Sequence, residues 1–308
     1  MQYTQIMKLF EYKENNLFVK RDDLIPFSFG GNKARKARLF FKDLIKNNYD
    51  CVVTYGSSSS NHCRVVANMA SSNKLPCYII TPIEGIKETT NRKMIKLFGA
   101  IFIECKLNRV KETIDDLLTT LKSENKKPYF IQGGGHGNIG TQAYVEAFNE
   151  ILCFEKENNI KFDYIFHASG TGTTQAGLIC GNLINKNNKK IVGISIARKN
   201  PYGKKIVYES VKSYLDKRTS EKVIIEDINF IDDYILNGYG DYNFQIINTI
   251  KKLMVYNGIP LDKTYTGKAF WGMKEYIKSN KISNKNILFI HTGGTPLFFE
   301  SLMELRSK

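Results

Sequence analysis

Proline is scarce in this chain, at 7 of 308 residues, tryptophan occurs once and histidine four times. So little proline excludes a collagen-like or proline-rich extended chain. No apolar run approaches the roughly 18 residues that cross a bilayer, and Met1 to Phe10 lacks the basic and apolar regions of a signal peptide. A cytoplasmic protein with no membrane partner is expected. The six cysteines (Cys51, Cys63, Cys77, Cys105, Cys153 and Cys180) form no CxxC pair, and no histidine is spaced to complete a zinc site. They read as reduced structural thiols, with no metal. Arginine is also sparse: the net charge of +15 is carried by 36 Lys against 9 Arg, dispersed along the chain. Phosphate and base readers cluster Arg on one element, so no nucleic-acid partner is expected, and a basic nucleic-acid-binding protein is the weaker reading from a different class.

What is present is ordinary globular composition, 42% hydrophobic and 24% charged. At this length a single core is near the size at which chains divide, so one large domain or two closely connected ones are expected. Short apolar runs alternate with segments of helical period, the pattern of βαβ units around parallel sheets. Strands are predicted at 51–55, 77–81, 100–105, 129–132, 164–168, 191–196 and 287–291. Helices are predicted at 61–71, 90–98, 109–123, 139–158, 174–183, 205–215 and 267–278. Four strands run into small polar loops: Thr54 to His62, Gln132 to Gly137, Ala168 to Thr174 and His291 to Thr295. Open α/β sheets bind ligands at the carboxyl ends of their strands, where loops and helix N-termini converge.

The loop Ser169, Gly170, Thr171, Gly172, Thr173, Thr174 joins a predicted strand to a predicted helix. Its glycines let backbone N–H groups curl around an anion and its hydroxyls add donors, which points to a phosphate. The plainer reading of such a turn is helix capping alone. It is not GxxxxGK[ST], and no acidic ribose partner follows at the expected distance, so ATP and NAD are disfavoured.

Around that loop stand Lys20-Arg-Asp-Asp23, Gly30-Gly-Asn-Lys-Ala-Arg-Lys36, Ser60-Asn-His62, Gly238-Tyr-Gly240, Tyr265-Thr-Gly-Lys268 and His291-Thr-Gly-Gly294. In this order, across nearly the whole chain, they resemble the fold-type II pyridoxal-phosphate enzymes of the D-cysteine desulfhydrase and 1-aminocyclopropane-1-carboxylate deaminase family. The resemblance implies two α/β domains, each an open, mostly parallel sheet flanked by helices, with the active site between them. Residues 1–38 with 145–308 would form the large cofactor domain and 39–144 the small inserted one. A homodimer is expected.

By that resemblance the cofactor is pyridoxal 5′-phosphate and Lys33 is its Schiff-base lysine. A lysine beside two glycines can approach an aldehyde closely, and partial desolvation would lower its pKa. Any one of 36 lysines is more ordinarily a surface group, and Lys36, three residues on, reads as a solvated neighbour on the same helix. Ser60 matches the active-site serine, and it could equally serve as a helix N-cap. Asn61 would bond the cofactor's phenolic oxygen. Ser59, Ser60, His62 and His136 are candidates for substrate binding, with His62 read as a supporting group rather than a general base. Tyr239 and Tyr265 match two tyrosines that face the substrate, against the alternative of amphipathic packing. Ring-opening deaminases of the family resemble a Tyr-Glu pair where this chain has Tyr265-Thr266. A hydroxyl there, from Thr266 or Thr292, would leave the pyridine nitrogen neutral, which suits β-elimination of a good leaving group.

The chain departs from the pattern at Ser58-Ser59 and at Gly134-Gly-His-Gly137, so cofactor chemistry transfers better than substrate identity. The implied function is a lyase performing α,β-elimination on a small amino acid, most simply a D-cysteine desulfhydrase-like reaction giving pyruvate, ammonia and sulfide. A β-replacement synthase and a 1-aminocyclopropane-1-carboxylate deaminase are the alternatives.

Overall fold

The structure, a computed structural model, describes residues 4–216 and 218–306. The chain opens with a hairpin, β1 (Ile6–Tyr12) and β2 (Asn15–Lys20), and continues into α1 (Gly31–Lys46). There follow β3 (Cys51–Tyr55), α2 (Asn61–Ser72), β4 (Cys77–Pro82), α3 (Thr90–Leu97), β5 (Ile101–Cys105), α4 (Val110–Ser123) and β6 (Pro128–Ile131). The long α5 (Asn138–Asn158) leads to β7 (Tyr164–Ser169), α6 (Thr173–Ile184), β8 (Lys190–Ser195), α7 (Tyr202–Leu215) and β9 (Asn229–Ile231). The chain ends with α8 (Phe244–Asn257), α9 (Thr266–Ser279), β10 (Asn286–Ile290) and α10 (Thr295–Arg306).

The seven predicted strands and seven predicted helices all occur, with ends shifted by up to three residues. The hairpin β1–β2, the short β9, and helices α1, α8 and α10 are additional to them. Among the described residues no helix is long and apolar enough to cross a membrane.

Two compact units divide the chain: one spans Lys33–Ile139, and the other combines the chain up to Asn32 with the chain from Gly140 onward. The first carries a four-stranded sheet in the order β5-β4-β3-β6, parallel throughout. The second carries six strands in the order β1-β2-β10-β7-β8-β9, parallel except for the antiparallel edge pair β1–β2.

Central strands of the larger sheet are buried at nearly every position and mostly apolar, because both faces are covered. Ile165, Leu288 and Ile290 point into a core shared with Tyr144 and Phe148 of α5, Leu178 of α6 and Val207 and Val211 of α7. The alternate residues Tyr164, Phe166, Ile287 and Phe289 point into a second core with Ile246 and Ile250 of α8 and Phe270 and Met273 of α9. A one-residue slip of β7 or β10 would exchange these two sets, so packing fixes the register. That register decides which residues emerge at the carboxyl ends, where the polar loops begin.

Candidate active site

In the larger unit, β7 ends at Ser169, whose hydroxyl donates to Gln175 Oε1 at 3.0 Å and is therefore turned into the protein. The loop then turns through Gly170, Thr171 and Gly172 into α6, with Thr173 and Thr174 buried in its first turn. Gly172 has φ +87°, and a Cβ there would stand 3.0 Å from Val207 Cγ2. No side chain caps α6. The backbone N–H groups of Thr171 and Gly172 donate to nothing among the described residues. Unbonded amides at the positive end of a helix are suited to an anion.

The loop after β10 is tied to the start of α1. Asn32 N donates to Thr292 O at 3.0 Å, and Asn32 Nδ2 donates to Thr174 Oγ1 at 3.2 Å. Gly31, with φ +86°, lets the two backbones touch, since a Cβ would lie 2.6 Å from Thr292 O. The residue immediately before Lys33 is thus anchored to both the loop after β10 and the first turn of α6. The Thr292 hydroxyl donates to no group among the described residues.

Thr266 differs. Its hydroxyl donates to Asp262 Oδ2 at 2.8 Å, and Asp262 N donates back to it at 3.0 Å. Asp262, wholly buried, also accepts from the backbone N–H groups of Thr264, Tyr265 and Thr266 at 2.9, 2.7 and 3.1 Å. Burial raises the pKa of this carboxyl, and the four hydrogen bonds oppose that rise. A threonine has one proton to give, and Thr266 has given it. Close by in sequence, Tyr265 and Tyr239 meet oxygen to oxygen at 2.5 Å with their rings edge to face. Tyr239 is half exposed, which leaves this pair open to a ligand.

In the smaller unit, Lys33 Nζ donates to Gly134 O at 3.0 Å. Burial lowers the Lys33 amine to about 8, slightly opposed by the Cys63 thiol. Lys36 is not solvated as expected. It is 1% exposed, and burial together with the neighbouring Lys33 charge drives its pKa well down. The side of α1 that carries Lys33 is closed over because Gly135, without a side chain, packs 3.3 Å from the Lys36 stem, measured to the site of an added Cβ.

Ser60 is the N-cap of α2, its Oγ accepting from Cys63 N at 3.2 Å. Asn61 Oδ1 accepts from Asn91 Nδ2 at 2.9 Å and from Arg64 at 3.4 Å, so its amide NH₂ faces away as a ready donor. Asn91, fully buried, also donates to Ser59 O. Ser58 is part of the same brace: its Oγ accepts from Lys87 N and its carbonyl accepts from Thr89 Oγ1. Its hydroxyl therefore serves the loop's own geometry.

His62 Nε2 lies 2.8 Å from Thr54 Oγ1, whose proton goes to Ile131 O. The ring must therefore donate from Nε2. Burial, with Lys33 and Lys36 nearby, lowers its pKa well below the usual histidine value, so the imidazole is neutral. His136 lies in the loop after β6, half-buried, two residues beyond the carbonyl that holds Lys33.

Residues 2–293 match the family described as pyridoxal-phosphate dependent enzyme. The chain belongs to this family. It is 30% identical over 307 residues to a D-cysteine desulfhydrase of Serratia proteamaculans (strain 568), covering 96% of this chain and 91% of that protein. It is 32% identical over 303 residues to a protein of Pyrococcus abyssi (strain GE5 / Orsay) provisionally named 1-aminocyclopropane-1-carboxylate deaminase, covering 94% and 88%. A crystal structure titled as an ACC deaminase homologue superposes with a TM-score of 0.87 at 29% identity, over 99% of this chain and 93% of that one. An O-acetyl serine sulfhydrylase of Entamoeba histolytica shares the fold, with a TM-score of 0.68 at 17% identity over 99% and 89%.

This pyridoxal-phosphate-dependent enzyme is accordingly a fold-type II lyase whose family acts on small amino acids. The donor set fits its cofactor: free amides at the head of α6 suit a phosphate dianion, and a half-buried lysine with a lowered pKa suits an aldehyde. Asn32, Asn91 and Asp262 contribute to these arrangements and escaped sequence reasoning. Asn32 and Asp262 lie in or beside a recognised motif and Asn91 in none, and their partners are distant in the chain or are backbone atoms with no sequence signature.

Proposed function

We propose that the chain is an α,β-eliminating lyase for a small amino acid with a good β-leaving group, D-cysteine being the representative substrate. The observation that carries this reading is the Thr266–Asp262 pair. A ring-opening deaminase would be expected to present a carboxylate at position 266. Here the side chain is a hydroxyl already committed to Asp262, and the Asp262 oxygens are filled by four donors. Thr292, whose hydroxyl retains its proton, is left to meet the pyridine nitrogen.

On this reading Lys33 would hold the cofactor covalently, and the backbone of Gly170, Thr171 and Gly172, with Thr173 and Thr174, would hold its phosphate. The Asn61 amide, its Oδ1 already occupied, would donate to the phenolic oxygen. Ser169 supports the loop from within through Gln175. When bound, pyridoxal phosphate supplies the electron sink for charge developing at the substrate's α-carbon.

The protein's own residues do the remaining work. With a pKa near 8 when free, Lys33, once displaced from the cofactor by the substrate amine, would have a substantial neutral fraction at physiological pH and could take the α-proton. The head of α2, capped by Ser60, offers positive potential to the substrate carboxylate, alongside the Ser59 and Ser60 groups. Tyr239 and Tyr265, hydrogen-bonded oxygen to oxygen, can pass a proton to the departing β-substituent. His62, neutral and committed through Nε2 to Thr54, orients rather than transfers.

Steady-state assays of D-cysteine, L-cysteine and 1-aminocyclopropane-1-carboxylate test the proposal. Keto acid and sulfide from D-cysteine, with little turnover of the cyclopropane, are expected. A larger kcat/KM for the cyclopropane overturns it.

A further inference from the structure

Lys268 is the third residue of α9 and wholly buried, with no exposed surface. Burial lowers its pKa, and Asp241 opposes that only from a distance. No carboxylate pairs with it among the described residues. Its Nζ instead donates to three backbone carbonyls: Gly238 O at 2.8 Å, Ile235 O at 3.0 Å and Ile196 O at 3.5 Å. An ammonium has three protons, and here it meets three acceptors.

The acceptors come from two places. Ile196 directly follows β8, while Ile235 and Gly238 belong to the segment that carries Tyr239. That segment has no regular secondary structure, and its internal bonds are few: Gly238 N to Ile235 O at 3.2 Å, Asp241 N to Gly238 O at 3.3 Å, and Asn237 to the Asp241 carboxylate. Tyr265, three residues before Lys268, meets the Tyr239 hydroxyl. One cation therefore fixes the backbone on the N-terminal side of Tyr239 to the same helix whose first turn follows Tyr265.

We propose that Lys268 is a positioning residue, its ammonium acting as a built-in cation that clamps three carbonyls and so holds the Tyr239 phenol on Tyr265. This rests on the reading of these tyrosines as substrate-facing. Burying an ammonium without a counter-ion is costly, and a neutral side chain of similar shape would fill the space at less cost. The cation earns its place by what it orders.

The test uses the cofactor-loaded enzyme. In Lys268→Met, amide hydrogen exchange across residues 235–241 should quicken by about 10-fold or more, the loss expected from releasing charge-assisted bonds, while exchange in β7 and β10 is unchanged. Its kcat/KM for the preferred amino acid should fall by about the same factor as that of Tyr239→Phe. The double variant should be no worse than either single one, because both remove one unit. In Lys268→Ala, n-propylammonium, which replaces the missing atoms, should restore activity better than methylammonium, a pattern that a generally damaged fold would not produce. Where Lys268→Met fails to fold, Lys268→Ala is prepared with n-propylammonium, and both measurements compare it with the amine present and after its removal, the faster exchange and lower kcat/KM being expected on removal. Unchanged exchange at 235–241, multiplicative losses in the double variant, or no rescue of a folded Lys268→Ala overturns the proposal. Wild-type kcat/KM in Tyr239→Phe overturns instead the role given to Tyr239, and the exchange measurement still decides for or against the clamp.

Discussion

Asn32 spends both its backbone and its side chain on other loops, giving its N–H to Thr292 O and its amide to Thr174 Oγ1. Lys33, the next residue, is held at its tip by Gly134 O. The Lys33 amine is thus held by a carbonyl at its tip, and its backbone follows directly on the anchored Asn32.

Lys33→Ala should abolish turnover and covalent cofactor attachment while the fold persists. Borohydride reduction followed by peptide mass spectrometry should place the adduct on Lys33, and an adduct on the buried Lys36 would reject the assignment.

The Lys33 pKa has a consequence for pH. Burial disfavours the charged amine and brings it to about 8, so roughly a quarter is neutral at pH 7.5, against about one in a thousand for a solvated lysine. Capture of the cofactor by the apoenzyme needs the neutral amine. Stopped-flow absorbance should show the rate rising between about pH 7 and 8 and levelling above about 9. A rise continuing towards pH 10.5 would mean the amine is solvated. The same shift makes the apoenzyme more stable as pH rises through this window and up to about 10.5, because the unfolded chain keeps the proton that the folded chain has lost.

Gly172→Val should weaken cofactor binding by about 10-fold or more. It places a branched residue at φ +87° and thrusts a Cβ at Val207, and such backbone strain costs of order 1–3 kcal/mol. Titration of the apoenzyme with cofactor measures it, and an unchanged Kd would show that the phosphate binds elsewhere.

Two threonine variants separate structure from chemistry. Thr266→Val should lower stability by about 1–3 kcal/mol, since it strips a donor from a buried carboxylate. Thr292→Val should leave stability nearly unchanged and reduce kcat. Chemical denaturation and steady-state kinetics on both variants check the pair, and the reverse pattern would return the ring-nitrogen role to Thr266.

Asn91→Ala should weaken cofactor binding by about 2- to 10-fold by freeing Asn61 and the Ser59 carbonyl, the effect of one to two lost hydrogen bonds. Equilibrium titration provides the measurement.

The strands with both faces buried were legible because continuous apolar runs bounded by small polar residues have few other readings. The hairpin β1–β2 was not. Its two turn residues, Lys13 and Glu14, take φ +50° and +59° without the glycine or asparagine that normally marks such a turn. The turn is held instead by Asn15, whose amide donates to Tyr12 O, Lys13 O and Ile282 O, the last 267 residues away. Helix α8 was obscured by Phe244, Val255 and Tyr256 on its solvent side, which blur the apolar period. Lys36 was misread for a related reason. Its i+3 spacing describes one helix face, whereas its burial comes from the loop after β6, about a hundred residues later.

The pairing of β2 with β10 joins Leu17 to Ile287 and Val19 to Phe289, residues 270 apart. During synthesis the hairpin has no parallel neighbour until the 270 further residues that lead to β10 have been made. The Lys33–Ile139 unit, by contrast, is one uninterrupted stretch and has all four of its strands available long before then. Birth order and assembly order therefore diverge: β1 and β2 are made before the Lys33–Ile139 unit, yet β2 is seated against β10 only after that unit is complete. Until β10 arrives, the edge of β2 that will receive it is an unpaired edge open to mispairing.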